Sequence, residues 1–114
     1  MLTIYHNPRC SKSRDALKLI EDSGSMVEVV EYLKTPPAKD DLRQIIERLG
    51  IKPIDLVRKN EPIYKEKYKG KELTDEEWID AMEEHPILIE RPIVLKDGKA
   101  ILGRPPENVK EFLV

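Results

Sequence analysis

Leu2-Thr3-Ile4-Tyr5-His6-Asn7-Pro8-Arg9-Cys10-Ser11-Lys12-Ser13-Arg14-Asp15-Ala16-Leu17-Lys18-Leu19-Ile20 changes its hydrophobic period part-way along. Leu2 to Tyr5 is a short apolar and β-branched run, whereas Ala16, Leu17, Leu19 and Ile20 recur at three- and four-residue spacing. Strand gives way to helix, and the change falls at Cys10, the only cysteine of the chain. Pro8 has no N–H to donate and stops the strand, and Ser11 or Ser13 is expected to cap the first helical turn with a side-chain oxygen. A sulfur at this point sits at the positive end of a helix. An ordinary thiol with a pKa of about 8.5 is only ~3% ionised at pH 7, and a fall to roughly 6.5 makes it ~75% thiolate. Position alone can therefore turn Cys10 into a nucleophile. The loop from His6 to Arg14 is the candidate active site.

The next apolar run, Met26 to Tyr32, is predicted to be a second strand, reached through a helix of about three turns. A strand, a helix and a strand in that order form a crossover between parallel strands, which brings the helix N-terminus to the edge of the sheet where α/β proteins collect ligands. Thr35-Pro36-Pro37 ends the strand. Leu42, Ile45, Ile46 and Leu49 then form the apolar stripe of a helix closed by Gly50, and a short helix is expected from Pro53 to Arg58.

Between Lys59 and Glu72 lysines alternate with Tyr64 and Tyr68. Glu61, Glu66 and Glu72 interrupt them, so the segment reads as a solvated helix and loop rather than a nucleic-acid patch. Thr74-Asp75-Glu76-Glu77 is a capping-box pattern, followed by Trp78, Ile79 and Met82 on one side of the helix it starts and by His85-Pro86 at its end. Ile93 to Lys96 and Lys99 to Leu102 flank Asp97-Gly98, a strong hairpin signal. A last helix through Val114 is expected to turn Val109, Phe112 and Leu113 inward.

The 114 residues suit one domain, burying somewhat over ~60% of the unfolded surface. Twenty Lys and Arg against 22 Asp and Glu give a net charge of −2, with no field to draw nucleic acid or an acidic membrane. Neither a membrane span nor a secretion signal is visible, and a cytoplasmic protein is expected. One cysteine cannot make an internal disulfide, so any disulfide chemistry needs a second molecule. No metal-ligating cluster and no bound cofactor are expected.

The predicted order is β α β, a helical insertion over about 38–84, then β β α. That is the plan of the thioredoxin-like, or glutaredoxin-like, α/β fold, with a four-stranded mixed sheet. Several motifs then carry a closer likeness. His6-Asn7-Pro8-x-Cys10-x-x-Ser13-Arg14, Tyr32-Leu33-x-Thr35-Pro36-Pro37, Arg58-Lys59-Asn60, His85-Pro86-Ile87-Leu88-Ile89-x-Arg91-Pro92-Ile93-Val94 and Gly103-Arg104-Pro105 together resemble the glutaredoxin-dependent arsenate reductase family over essentially the whole chain. The loop reads Arg-Cys-Ser-Lys-Ser where the resistance-operon enzymes of that family read Ala-Cys-Gly-Thr-Ser.

The resemblance implies Cys10 as nucleophile, Arg58, Arg91 and Arg104 as the oxyanion site, and a cis bond before Pro92. It implies arsenate as substrate, glutathione as co-substrate and glutaredoxin as electron-donating partner. The chemistry is apt, because the guanidinium fork holds a tetrahedral oxyanion bidentately and neutralises it before a thiolate approaches. His6 either tunes the thiolate or is a satisfied histidine beneath the loop. Ser13 either donates to the sulfur or caps the helix, and Arg14 adds positive potential near it. Two other classes share the resemblance. A redox-responsive regulator of the Spx type typically carries Cys-x-x-Cys, and this chain has Ser13 at the second position. A monothiol glutaredoxin-like oxidoreductase needs only Cys-x-x-Ser but has no tetrahedral anion for arginines to hold.

Overall fold

The computed structural model describes residues 2–113, which form two compact units, residues 2–35 with 91–113 and residues 36–90. The first carries the cysteine loop. Its strand β1 (Leu2–His6) alternates, with Leu2, Ile4 and His6 buried and Thr3 and Tyr5 partly covered, the period of a strand with one face on a core. Helix α1 (Ser11–Asp22) buries Ser13, Ala16 and Ile20. Strand β2 (Val27–Glu31) pairs with β1 in parallel, Leu2 opposite Val27 and His6 opposite Glu31.

β3 (Ile93–Lys96) lies antiparallel to β1, with Ile4 opposite Val94, and β4 (Lys99–Leu102) lies antiparallel to β3. The sheet order is β2-β1-β3-β4, a mixed four-stranded sheet of the thioredoxin-like kind. Asp97 and Gly98 at the hairpin tip both have positive φ, 50° and 79°, as a two-residue turn matching the strand twist requires.

Leu2, Ile4 and Val94 on the sheet meet Ala16 and Ile20 of α1 and Val109 and Phe112 of the C-terminal segment in one core. Each aliphatic side chain buried there contributes roughly 1.5–3 kcal/mol. The C-terminal segment, Pro106–Phe112, is a 3-10 helix whose Val109 and Phe112 are buried, with Leu113 packed against the same core. The expected extension to Val114 lies outside the described residues.

The second unit is helical and contains the whole predicted insertion. Helix α2 (Lys39–Leu49) ends on Gly50 at φ 70°, the left-handed cap conformation. A 3-10 turn covers Pro53–Leu56. It is shorter than the predicted Pro53 to Arg58 because Val57 turns extended and forms a bridge with Ile89. On either side of that bridge Arg58 N donates to Leu88 O at 2.7 Å and Glu90 N to Leu56 O at 2.8 Å.

Helix α3 (Pro62–Lys67) falls in the lysine-rich stretch, and the Tyr64 and Tyr68 rings pack against Trp78 with centroids 6.2 and 5.9 Å away. Helix α4 (Asp75–Glu84) opens with the predicted capping box: Glu77 N donates to Thr74 Oγ1 at 3.2 Å and Thr74 N to Glu77 Oε1 at 2.9 Å.

Candidate active site

β1 ends at His6 and α1 begins at Ser11, and the four residues between them form a loop held by its own groups. Cys10 N donates to Asn7 O at 3.0 Å and Arg9 N to Asn7 Oδ1 at 3.0 Å. Asn7, itself buried, also donates its N–H to Ser13 Oγ at 3.1 Å. Arg14 Nη1 donates to Pro8 O at 2.9 Å. The loop is thus tied at both ends to the first turn of α1.

Neither serine caps that helix as predicted. Cys10 itself stands at the N-cap, in extended conformation with φ −96° and ψ 121°, and no side-chain cap hydrogen bond forms. Ser13 is drawn inward instead: it is fully buried, and its Oγ lies 2.6 Å from His6 Nδ1 while accepting the Asn7 N–H. The amide donors of the first turn are left for the sulfur. Burial pushes the Cys10 thiol up, but the Ser13 N–H, the Arg91 hydrogen bond and charge, and the Lys12 N–H outweigh it, and the pKa falls below its ordinary value.

The exposed Arg9 and Lys12 side chains and the Pro8-bound Arg14 are not what lowers it. The thiol is activated instead by two backbone donors and one buried arginine. Arg91 is that arginine, 8% exposed. Arg104 approaches from the other side of the hairpin, its Nη1 3.7 Å from Cys10 Sγ and 3.1 Å from Arg91 O, to which it donates.

The backbone that delivers these two side chains is tightly packed. The Arg91-Pro92 bond is cis, as the family likeness implied, and the Arg104-Pro105 bond is cis as well. Gly103 N donates to Pro92 O at 2.9 Å. A Cβ on Gly103 would stand 2.8 Å from Pro92 Cγ and 3.2 Å from Val109 Cγ1, so only glycine allows this approach. Asn108 Nδ2 donates to Leu102 O at 3.2 Å and to Arg104 O at 3.1 Å, spanning the turn on which Arg104 sits.

His6 does not reach the sulfur by any contact of its own; it bears on Cys10 through Ser13. Burial lowers the pKa of the imidazole, Glu31 raises it, Arg14 lowers it again and Glu21 raises it, for a net fall that keeps the ring neutral at pH 7. Cys10, Arg91, Arg104, His6, Ser13 and Pro92 thus come together in the first unit.

Arg58 belongs to the second unit, where its Nε lies 3.3 Å from Glu61 Oε1 and its Nη1 2.7 Å from Glu90 Oε1. Its pKa is raised: burial opposes the charge, and Glu90 and then Glu61 support it more strongly. Two residues escaped the sequence reading, Asn7 and Asn108. Asn7 had a local signal, an Asx residue before a proline in a turn. Asn108 acts only through carbonyls brought near it by the fold.

Among the described residues no group of three or more His, Cys, Asp or Glu could hold a metal ion, and no helix is long and apolar enough to cross a membrane. The site is a thiol, two guanidiniums and a row of backbone donors. It can hold a small oxyanion against a sulfur nucleophile.

The same arrangement of chain is found in known proteins. The chain is 45% identical over 114 residues to the arsenate reductase of Neisseria meningitidis serogroup B, covering 98% of this chain and 97% of that one. It is 47% identical over 112 residues to the uncharacterized protein YfgD of Escherichia coli K12, covering 96% and 94% of the two chains. The solved arsenate reductase of Vibrio cholerae superposes with a TM-score of 0.92 at 46% identity, over 96% of this chain and 95% of that one. Residues 5–112 match the sequence profile of the ArsC family. Since that match takes in the cysteine loop, both prolines in cis and the two arginines on the sulfur, the chain belongs to the ArsC family.

Proposed function

We propose that this protein is an arsenate reductase that works through a thiol-arsenate adduct on Cys10. The observation that carries the reading is the pair of guanidiniums, Arg91 and Arg104, directed at one activated sulfur. A disulfide exchange enzyme needs only the sulfur, whereas a tetrahedral oxyanion needs its charge cancelled before a thiolate can approach.

The Cys10 thiolate attacks arsenic and hydroxide leaves, forming the S–As bond. A second thiol then attacks the Cys10 sulfur; the electron pair of the S–As bond stays on arsenic, which departs as arsenite carrying the second thiol's proton. Two sulfurs are oxidised to a mixed disulfide as arsenic is reduced by two electrons. Glutathione is the proposed thiol and glutaredoxin the proposed partner that clears the mixed disulfide; the likeness of the motifs to the glutaredoxin-dependent family supports this reading, and the single cysteine calls for an outside thiol. Arg58 is proposed as a third arginine for the anion on the strength of the family pattern alone. A reducing cytoplasm is the setting this chemistry requires.

The test is arsenate reduction by the purified chain with glutathione and glutaredoxin. Wild type should turn over and Cys10→Ser should not. Absence of arsenite from wild type under these conditions overturns the reading.

A further inference from the structure

Arg104 reaches the sulfur from a turn that one side chain braces. Asn108 Nδ2 donates to Leu102 O at 3.2 Å and to Arg104 O at 3.1 Å, the carbonyls on either side of Gly103. A primary amide suits this place because its two N–H bonds serve two acceptors at once. Asn108 is itself anchored. Its N–H donates to Pro105 O at 3.0 Å, and the next residue, Val109, is fully buried in the core.

The far end of Arg104 is held as well, since its Nη1 donates to Arg91 O at 3.1 Å and lies 3.7 Å from Cys10 Sγ. An arginine has much rotamer freedom to lose when it is fixed on an anion. A turn that holds its backbone in one place removes part of that loss before the anion arrives. Arg91 has a second task, because its hydrogen bond and charge help to lower the Cys10 pKa together with the Ser13 and Lys12 N–H groups. Bracing Arg104 therefore bears on the anion more than on the thiol.

We infer that Asn108 is a positioning residue of the oxyanion site: its amide holds the turn at residues 102–105 so that Arg104 is set beside Cys10 Sγ in advance, and it raises affinity for the anion through Arg104 alone. The inference rests on reading Cys10, Arg91 and Arg104 as that site.

Sulfate, a tetrahedral dianion that the thiol does not reduce, is titrated calorimetrically against the full chain and its variants. Affinity should fall roughly five- to ten-fold in Asn108→Ala, as loss of hydrogen bonds that fix a ligand implies, and likewise in Asn108→Asp, which keeps the shape but has no N–H to give. Arg104→Ala should lose at least as much, and adding Asn108→Ala to it should cost nothing further. Unchanged affinity in both Asn108 variants, or an equal fall with and without Arg104, overturns the inference. The alkylation midpoint of Cys10 should stay closer to wild type in Asn108→Ala than in Arg91→Ala; a rise as large as that of Arg91→Ala shows a general loss of structure and also overturns it. If wild type binds no sulfate, or Arg104→Ala binds it unchanged, the oxyanion reading falls and takes the inference with it. Wild type alone gives a further check that needs no variant to fold. The Arg104 Nε–H should be nearly as rigid as the backbone, with an order parameter of about 0.85, against under about 0.6 for the exposed Arg9; equal mobility of the two overturns the inference.

Discussion

Cys10 occupies the position where a helix usually places a serine or aspartate oxygen, and its sulfur inherits the donors meant for that oxygen. Its alkylation rate against pH should have a midpoint below that of an ordinary thiol. Arg91→Ala should move the midpoint up; a midpoint at 8.5 or above in wild type would refute an activated thiolate. The sign for stability follows. A depressed folded pKa means the thiolate is favoured in the fold, so its contribution is complete above the unfolded value and is lost as pH falls through the lowered folded one. His6 runs the same way for the opposite reason: burial disfavours its charged form and lowers its pKa, so stability falls as pH drops below the unfolded value of about 6.5 and the ring is forced to charge. Its imidazole resonances should accordingly titrate below that value. The arginines separate by burial. Arg91→Ala should weaken arsenate or sulfate binding by several kcal/mol and Arg9→Ala by under about 1 kcal/mol, because only the first removes a desolvated charge partner. Equal losses by calorimetry would dismiss Arg91 as an anion ligand.

Among the elements, the turn after β4 packs closely against Pro92 and Val109. Gly103→Ala forces a methyl into Pro92 and should cost about 1–3 kcal/mol of overpacking, lower the melting temperature and slow arsenate reduction by displacing Arg104. Full stability and full rate in that variant would show that the approach is not needed. The elements themselves were legible where a local signal is strong. The period change at Cys10 gave β1 and α1, Asp97-Gly98 gave the hairpin, and Thr74 with Glu77 gave the start of α4. What was not legible depends on distant partners. Ser13 carries the sequence mark of a cap, yet its hydroxyl goes to His6 and Asn7, because its side chain faces the core. The Pro53 turn stops early because Val57 finds Ile89, thirty-two positions away, and neither residue announces that pairing. Arg91 and Arg104 were placed by family likeness and not by spacing, since nothing in a lone arginine tells a buried ligand from a solvated one.

For the molecule as a whole, a single sulfur dictates where the electrons come from. A second thiol in the same chain would have resolved the adduct fastest through its high effective concentration, and there is none. Thioredoxin with its reductase, in the absence of a small thiol, should therefore support little arsenate turnover, whereas glutathione with glutaredoxin should support many cycles. Arsenate plus one equivalent of glutathione should add mass to wild type and none to Cys10→Ser. Sustained turnover on thioredoxin alone would move the electron path elsewhere. The two arginines on the sulfur also bear on how the cycle ends. A thiol of lowered pKa is a weaker attacker per thiolate but a better leaving group. In the proposed cycle, when an outside thiolate meets the Cys10 mixed disulfide, exchange in which it takes the outer sulfur and expels Cys10 is the faster course. The contacts that ready Cys10 to begin the reaction thus also make it the half that is released.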